Sequence, residues 1–269
     1  NYLVNKSPGG LVSGISSYLD SMNSSSLDRS NYNWIGWPGM SFPDKKQDYI
    51  NSILSEKSLI PVFLNEKIMD KFYFGFCNKT IWPLFHYFPS YTIYNNEMWE
   101  IYKDVNEKFS EIVCNHISES DTIWIHDYHL MLLPSMIRKK ISNAKIGFFL
   151  HIPFPHYEIF RFLPPIWREE ILRGLLGSDL IGFHTNDYTR YFLGAVLRLL
   201  GYNNELGEIL NGERLIKVDT FPMGIDFNSF DSISKSSDII KEYESLKKNY
   251  HNQKIILSID RLDYSKGIL

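Results

Sequence analysis

Two cysteines in 269 residues, Cys77 and Cys114, leave no disulfide framework and no spacing suited to a zinc or redox site. That excludes the stapled secreted scaffolds and fits a reducing compartment with inert thiols. No apolar run approaches the roughly 20 residues that a bilayer span needs, and Asn1–Ser7 lacks the features of a signal peptide. A cytoplasmic protein with no membrane partner is expected. Lysine and arginine, 28 together, do not outnumber the 31 acidic residues, and the net charge is -3. Without a basic footprint no nucleic-acid partner is expected, and small molecules are the natural ligands. The chain also lacks a glycine motif of the P-loop kind, a supportable Ser-His-Asp arrangement and internal repeats.

What is present is apolar and aromatic mass, 44% and 15% of residues, enough for a large core. Its centre is Asp121–Pro155. Thr122–His126 is a short β-branched and aromatic run closed by His126, Asp127, Tyr128 and His129. Helical spacing of Leu130, Leu133, Met136 and Ile137 predicts a helix over Leu130–Lys140, with Pro134 in its first turns. Ile146–Leu150 reads as a second strand, stopped at His151 by Pro153 and Pro155. Strand, helix and strand imply a right-handed parallel crossover, and ligands of such sheets sit beyond the carboxyl ends of the strands. Asp127 and His151 are therefore expected in one crevice.

The rest of the chain extends this pattern. Helices are expected over Leu11–Leu19, Asn65–Tyr73, Asn95–Ile117, Ile166–Leu176 and Tyr188–Leu200. Strands are expected over Trp34–Trp37, where Pro38-Gly39 cuts the run off, Leu59–Leu64, Leu180–Phe183, Leu215–Phe221 and Lys254–Ile259. The fold class is thus α/β, a Rossmann-like parallel sheet with flanking helices. Residues 1–230 form the expected amino-terminal domain, 231–253 a polar linker and helix, and 254–269 the first strand and loop of a second domain.

Several constellations carry two readings each. Gly9-Gly10 before a helix suits an approaching phosphate, or is an ordinary turn. Trp37 is a core plug or an aromatic wall for a ring-shaped ligand. Tyr73–Tyr87 packs aromatics among Asn, Lys and His at no clean period, as a sugar site or as an aromatic mini-core around a loop. Arg261 and Lys266 share a glycine-containing loop, as a diphosphate clamp or a solvated surface. His126, His129, His151, His156 and His184 lack the helical spacing of a zinc pair, so no metal is expected.

Taken in order, six motifs resemble a known family. They are Gly9-Gly10-Leu11-Val12-Ser13-Gly14, Gly36-Trp37-Pro38-Gly39, Asn78-Lys79-Thr80-Ile81-Trp82-Pro83-Leu84-Phe85-His86, His126-Asp127-Tyr128-His129-Leu130, His151-Ile152-Pro153-Phe154-Pro155 and Arg261-Leu262-Asp263-Tyr264-Ser265-Lys266-Gly267. The chain resembles the amino-terminal half of the trehalose-6-phosphate synthases, retaining glycosyltransferases with two Rossmann-like domains, the GT-B arrangement. The resemblance implies transfer of glucose from UDP-glucose to glucose 6-phosphate, with no cofactor and no metal. It implies an acceptor pocket of Trp37, Tyr73, Trp82 and Asp127. It also implies donor contacts from Gly10 and from His151, which touches the transferred glucose. Arg261 and Lys266 correspond to the basic pair on the UDP diphosphate, so Asp127, His151, Arg261 and Lys266 are the expected catalytic set.

Two departures qualify the resemblance. The family's first strand ends in a Ser-Asn-Arg motif that this sequence does not contain at its start, and most of a second domain is absent. Little turnover is expected from these 269 residues alone. A sugar-phosphate-sensing subunit of a trehalose-synthesising assembly and a transferase for another phosphorylated acceptor are the alternatives, and a homo-oligomer stays open.

Overall fold

A computed structural model describes residues 32–251 and 253–268, with Val12, residues 14–16, Tyr18 and Leu19. The chain divides into two compact units, one running Asn31–Pro222 and one that contains Met223–Leu269.

In the larger unit, Trp34–Gly36 (β1) pairs in parallel with Leu59–Pro61 (β2) across Asp44–Ser55 (α1). Only the first half of the expected Leu59–Leu64 strand is a strand, because β1 offers three residues of partner. Asn65 caps Glu66–Lys71 (α2), its side chain accepting from the Ile68 N–H at 2.9 Å. Phe72–Ile81 then continues as a π-helix. This explains the missing period: i to i+5 bonding widens the turn, and the buried residues Phe72, Phe76, Cys77 and Ile81 recur at four and five. The segment is neither a loop nor an ordinary helix.

Asn96–His116 (α3), capped by Asn95, lays Trp99, Tyr102, Val105, Phe109 and Val113 on the core. His116, at the end of this helix, is exposed and bonds the Ile112 carbonyl at 2.7 Å. Thr122–His126 (β3), Lys145–Leu150 (β4), Leu180–Phe183 (β5) and Arg214–Thr220 (β8) are parallel neighbours in a six-stranded sheet. Leu133–Lys140 (α4), Pro165–Leu175 (α5) and Asn186–Leu200 (α6) are the longer helices between them. The expected helix over Leu130–Lys140 starts three residues later, since Tyr128–Leu130 forms a separate 3-10 turn. Thr185 caps α6, its hydroxyl accepting from the Tyr188 N–H.

The sheet is not wholly parallel. Asn204–Glu205 (β6) and Glu208–Asn211 (β7) extend its edge antiparallel, in the order β3-β4-β5-β8-β7-β6. At the amino ends of the strands Asp179 ties the layers together. It takes the Arg138 guanidinium at 2.6 Å, Arg214 at 3.4 Å and the Ile146 N–H at 2.8 Å. The opposite, carboxyl ends are left to the candidate site.

The smaller unit contains Phe227–Ser234 (α7) and Ser237–Asn249 (α8). Lys254–Ile259, expected as a strand, is irregular, with Ile256 96% exposed. A strand exists through its partner, and no described strand pairs with this run.

Candidate active site

The central feature is the backbone of Asp127. Its φ of 71° and ψ of 172° fall in a region that is nearly glycine's own and costs roughly 1–3 kcal/mol for a side-chain-bearing residue. The conformation is held from both sides. The Asp127 N–H donates to the Phe149 carbonyl at 2.8 Å, continuing the β3–β4 ladder, and Asp127 Oδ1 accepts the His151 N–H at 3.3 Å. Burial pushes the Asp127 carboxyl up to about 6, against the opposing effect of bonds from the Tyr128 and His151 N–H groups. Strain and a destabilised charge at one residue mark a site maintained for something other than stability.

Register brings the histidines together. His126 pairs with Phe149 and Phe149 with Gly182, so alternation sets Trp124, His126, Phe149 and His151 on one face at the strand ends. His126 Nδ1 lies 3.0 Å from His151 Nε2, and the His184 ring centroid lies 5.5 Å from that of His151. Burial lowers all three, His126 to about 4 and His151 to about 3, the latter also through the neighbouring His126 and His184. These rings are neutral at physiological pH, acting as hydrogen-bonding groups rather than cations. Among the described residues no group of three or more His, Cys, Asp or Glu side chains converges as a metal-ligand set.

An aromatic wall stands beside this turn. Tyr73, from the π-helix, stacks on His129 with centroids 5.4 Å apart and planes 7° from parallel. Trp82, in the following turn, lies 5.9 Å from Tyr128 and 4.0 Å from His86. Tyr128 donates its hydroxyl to Asn78 Oδ1 at 3.2 Å, while Tyr102 donates to the Tyr128 carbonyl at 2.8 Å. Asn106 holds the His129 carbonyl at 3.1 Å. Behind the wall Phe154 is fully buried, its ring within 6 Å of Phe85, Phe160, Phe183 and Phe192, which pins the loop that starts at His151. Cys77 is buried beneath the same turn, and burial raises its thiol well above the ordinary value.

Of the residues singled out from sequence, Tyr73, Trp82, Asp127 and His151 are thus linked through one turn and one ladder. Trp37 sits just beyond β1 and is 37% exposed, before a turn in which Gly39 has φ 86°. Gly10 lies outside the described residues. Arg261 and Lys266 belong to the smaller unit, in a loop ordered by Asp263, which accepts the Ser265 N–H at 2.9 Å. Lys266 Nζ stands 4.0 Å from the Asp260 carboxylate. Sequence reasoning passed over the direct His126–His151 bond and the support from Tyr128, Asn78 and Asn106; only strand register reveals the first.

The sequence signature of glycosyltransferase family 20 matches residues 1–269. The chain belongs to that family. It is 42% identical over 273 residues to the UDP-forming alpha,alpha-trehalose-phosphate synthase 56 kDa subunit of Kluyveromyces lactis, covering 99% of this chain and 54% of the relative. A structure of the Escherichia coli protein bound with UDP-2-fluoro glucose superposes with a TM-score of 0.82 at 28% identity, over 100% of this chain and 57% of that one. A UDP-forming synthase from Burkholderia xenovorans in complex with glucose-6-phosphate gives a TM-score of 0.79 at 28% identity, over 97% and 56%. The chain therefore spans about half the length of these relatives.

Proposed function

We propose that this chain is the acceptor-side portion of a UDP-forming trehalose-6-phosphate synthase. The observation that carries the reading is the tie between Asp127 and His151 at adjoining strand ends, beside the Tyr73 and Trp82 rings. Flat rings suit the apolar face of a hexose, and a carboxylate held in a strained turn can orient hydroxyls by accepting from them. Asp127, Trp37, Tyr73 and Trp82 would hold glucose 6-phosphate, and His151 would meet the glucose being transferred.

In the reaction the bond from glucose C1 to the diphosphate oxygen breaks. A new bond forms from C1 to the anomeric oxygen of glucose 6-phosphate, whose proton leaves, and the configuration at C1 is retained. Negative charge grows on the departing diphosphate, so cations placed there favour the transition state over the ground state. Arg261 and Lys266 fill that role, with Gly10 beside the donor phosphates, and no metal or other cofactor is assigned. The family name and the ligands in the related structures support this reading. The K. lactis relative is a subunit by name, which favours a synthase assembly. Among the described residues no helix is long and apolar enough to cross a membrane.

The test supplies the full-length protein with UDP-glucose and glucose 6-phosphate and follows UDP release, with NMR of the product linkage. Release of UDP dependent on glucose 6-phosphate, with an alpha,alpha product, is expected. No release, with calorimetric binding of glucose 6-phosphate but not UDP, would point instead to a sensor.

A further inference from the structure

We propose that His126 is a positioning residue for His151: its ring bond to His151 Nε2 couples the tautomers of the two rings and so ties what Nδ1 of His151 offers a ligand, a donor or an acceptor, to the proton on His126. The inference rests on the reading of His151 as the histidine that meets the transferred glucose.

Chemistry forces the coupling. At 3.0 Å the two nitrogens must share one proton between them, because two facing N–H groups or two facing lone pairs would repel. Each neutral imidazole has one donor and one acceptor, so the role taken at Nε2 leaves the opposite role at Nδ1. Both rings are kept neutral by burial, and the pair is walled in by Trp124, 4.5 Å from His126, and Phe149, 4.7 Å from His151. Two other titratable groups beside the pair are Asp127, bonded to the His151 backbone N–H, and His184.

An ordinary structural histidine looks different here. His86 and His116 each turn Nδ1 onto the backbone carbonyl four residues earlier, at 2.8 and 2.7 Å. The His126 Nδ1 instead meets the ring of His151, the residue that opens the β4–α5 connection. A bond of that kind stabilises one ring state of a site residue, and even small misplacement of such a group is costly to turnover.

The test uses the full-length enzyme and three variants. His126→Phe keeps a ring and removes the nitrogen, His126→Asn returns a polar atom near the Nδ1 position, and His126→Gln carries it one methylene too far. Turnover should fall roughly ten- to a hundredfold in His126→Phe, with the KM for glucose 6-phosphate changed by less than about threefold. His126→Asn should recover most of the loss, and His126→Gln little. Nitrogen-15 NMR should show His151 tautomer populations in His126→Phe that differ from those of the wild type. Should the Phe variant fail to fold, the contrast between Asn and Gln carries the test. Wild-type turnover in His126→Phe, or Asn no better than Gln, would overturn the proposal. Unchanged turnover in His151→Ala would instead overturn the reading of His151 itself.

Discussion

The His151 backbone N–H donates to Asp127 Oδ1 across 3.3 Å, which couples the residue proposed for the acceptor sugar to the one proposed for the donor. The two roles can be separated by substitution. Asp127→Asn keeps an acceptor oxygen for His151 and removes the charge. It should raise the KM for glucose 6-phosphate by roughly ten- to a hundredfold, the worth of a charged hydrogen bond at about 1.5–3 kcal/mol. Donor binding should barely move. Asp127→Ala also frees the His151 backbone and should weaken UDP-glucose binding as well. Steady-state kinetics with each substrate varied in turn distinguishes these outcomes, and equal donor effects in both variants would refute the coupling.

Asp127 also predicts a conflict between stability and function. Its folded carboxyl titrates near 6, above the ordinary 3.8, so its favourable contribution is complete only below about pH 4 and is lost as pH rises through 6. At pH 7.5 the ionised form then costs about 3 kcal/mol. Asp127→Asn should therefore unfold at higher urea than the wild type at pH 7.5 while losing activity. Near pH 4 the gain should vanish. A variant less stable at both pH values would mean that the charge is well solvated in the native state.

The buried histidines act in the opposite sense. His126 and His129 are lowered to about 4 and His151 to about 3, so the unfolded chain, titrating near 6.5, binds more protons between about pH 4 and 6.5. Three such groups less one opposing Asp127 give a net uptake of about two protons on unfolding, and His184 adds in the same direction. Stability should fall by nearly 3 kcal/mol per pH unit across that window, at about 1.4 kcal/mol per proton. Urea midpoints from pH 7.5 to 4.5 measure the slope. A flat profile would refute it.

How much of this was legible beforehand depends on what each feature needs. Ile123–Ile125 and Ile146–Leu150 were readable as strands because an apolar run between turn residues is a local signal. The Asn211-Gly212 pair was an unread hairpin signal: Gly212, with φ 65°, opens the two-residue loop that joins β7 to β8. The π-helix was visible only as an absence of period, since its turn is neither 3.6 nor 2 residues. Lys254–Ile259 has strand composition but no partner among the described strands, and composition alone cannot supply one. The His126–His151 bond was out of reach because it depends on which residue of β4 stands opposite His126, a matter of register.

Three glycines supply a last check, on the packing that supports the Asp127 turn. A Cβ on Gly177 would lie 2.2 Å from the Ser135 nitrogen and 2.4 Å from the Pro134 carbonyl carbon, and one on Gly174 would lie 2.4 Å from the Met131 oxygen. These are backbone atoms at the start of α4, so no rotamer change relieves the clash. The helix would have to shift, and with it the turn that follows Asp127. Gly177→Ala should cost about 2–4 kcal/mol, at or above the usual range for overpacking, and should lower turnover by moving that turn. Gly194 is the contrast, because in the middle of α6 a Cβ there would meet nothing within 4 Å. Ala at 194 should add about 0.5–1 kcal/mol by restricting the unfolded chain and favouring the helix. Urea denaturation of the two variants should move in opposite directions. If Gly177→Ala were tolerated, the close approach of the α5 end to α4 would be wrong, and the support of the Asp127 turn would need another source.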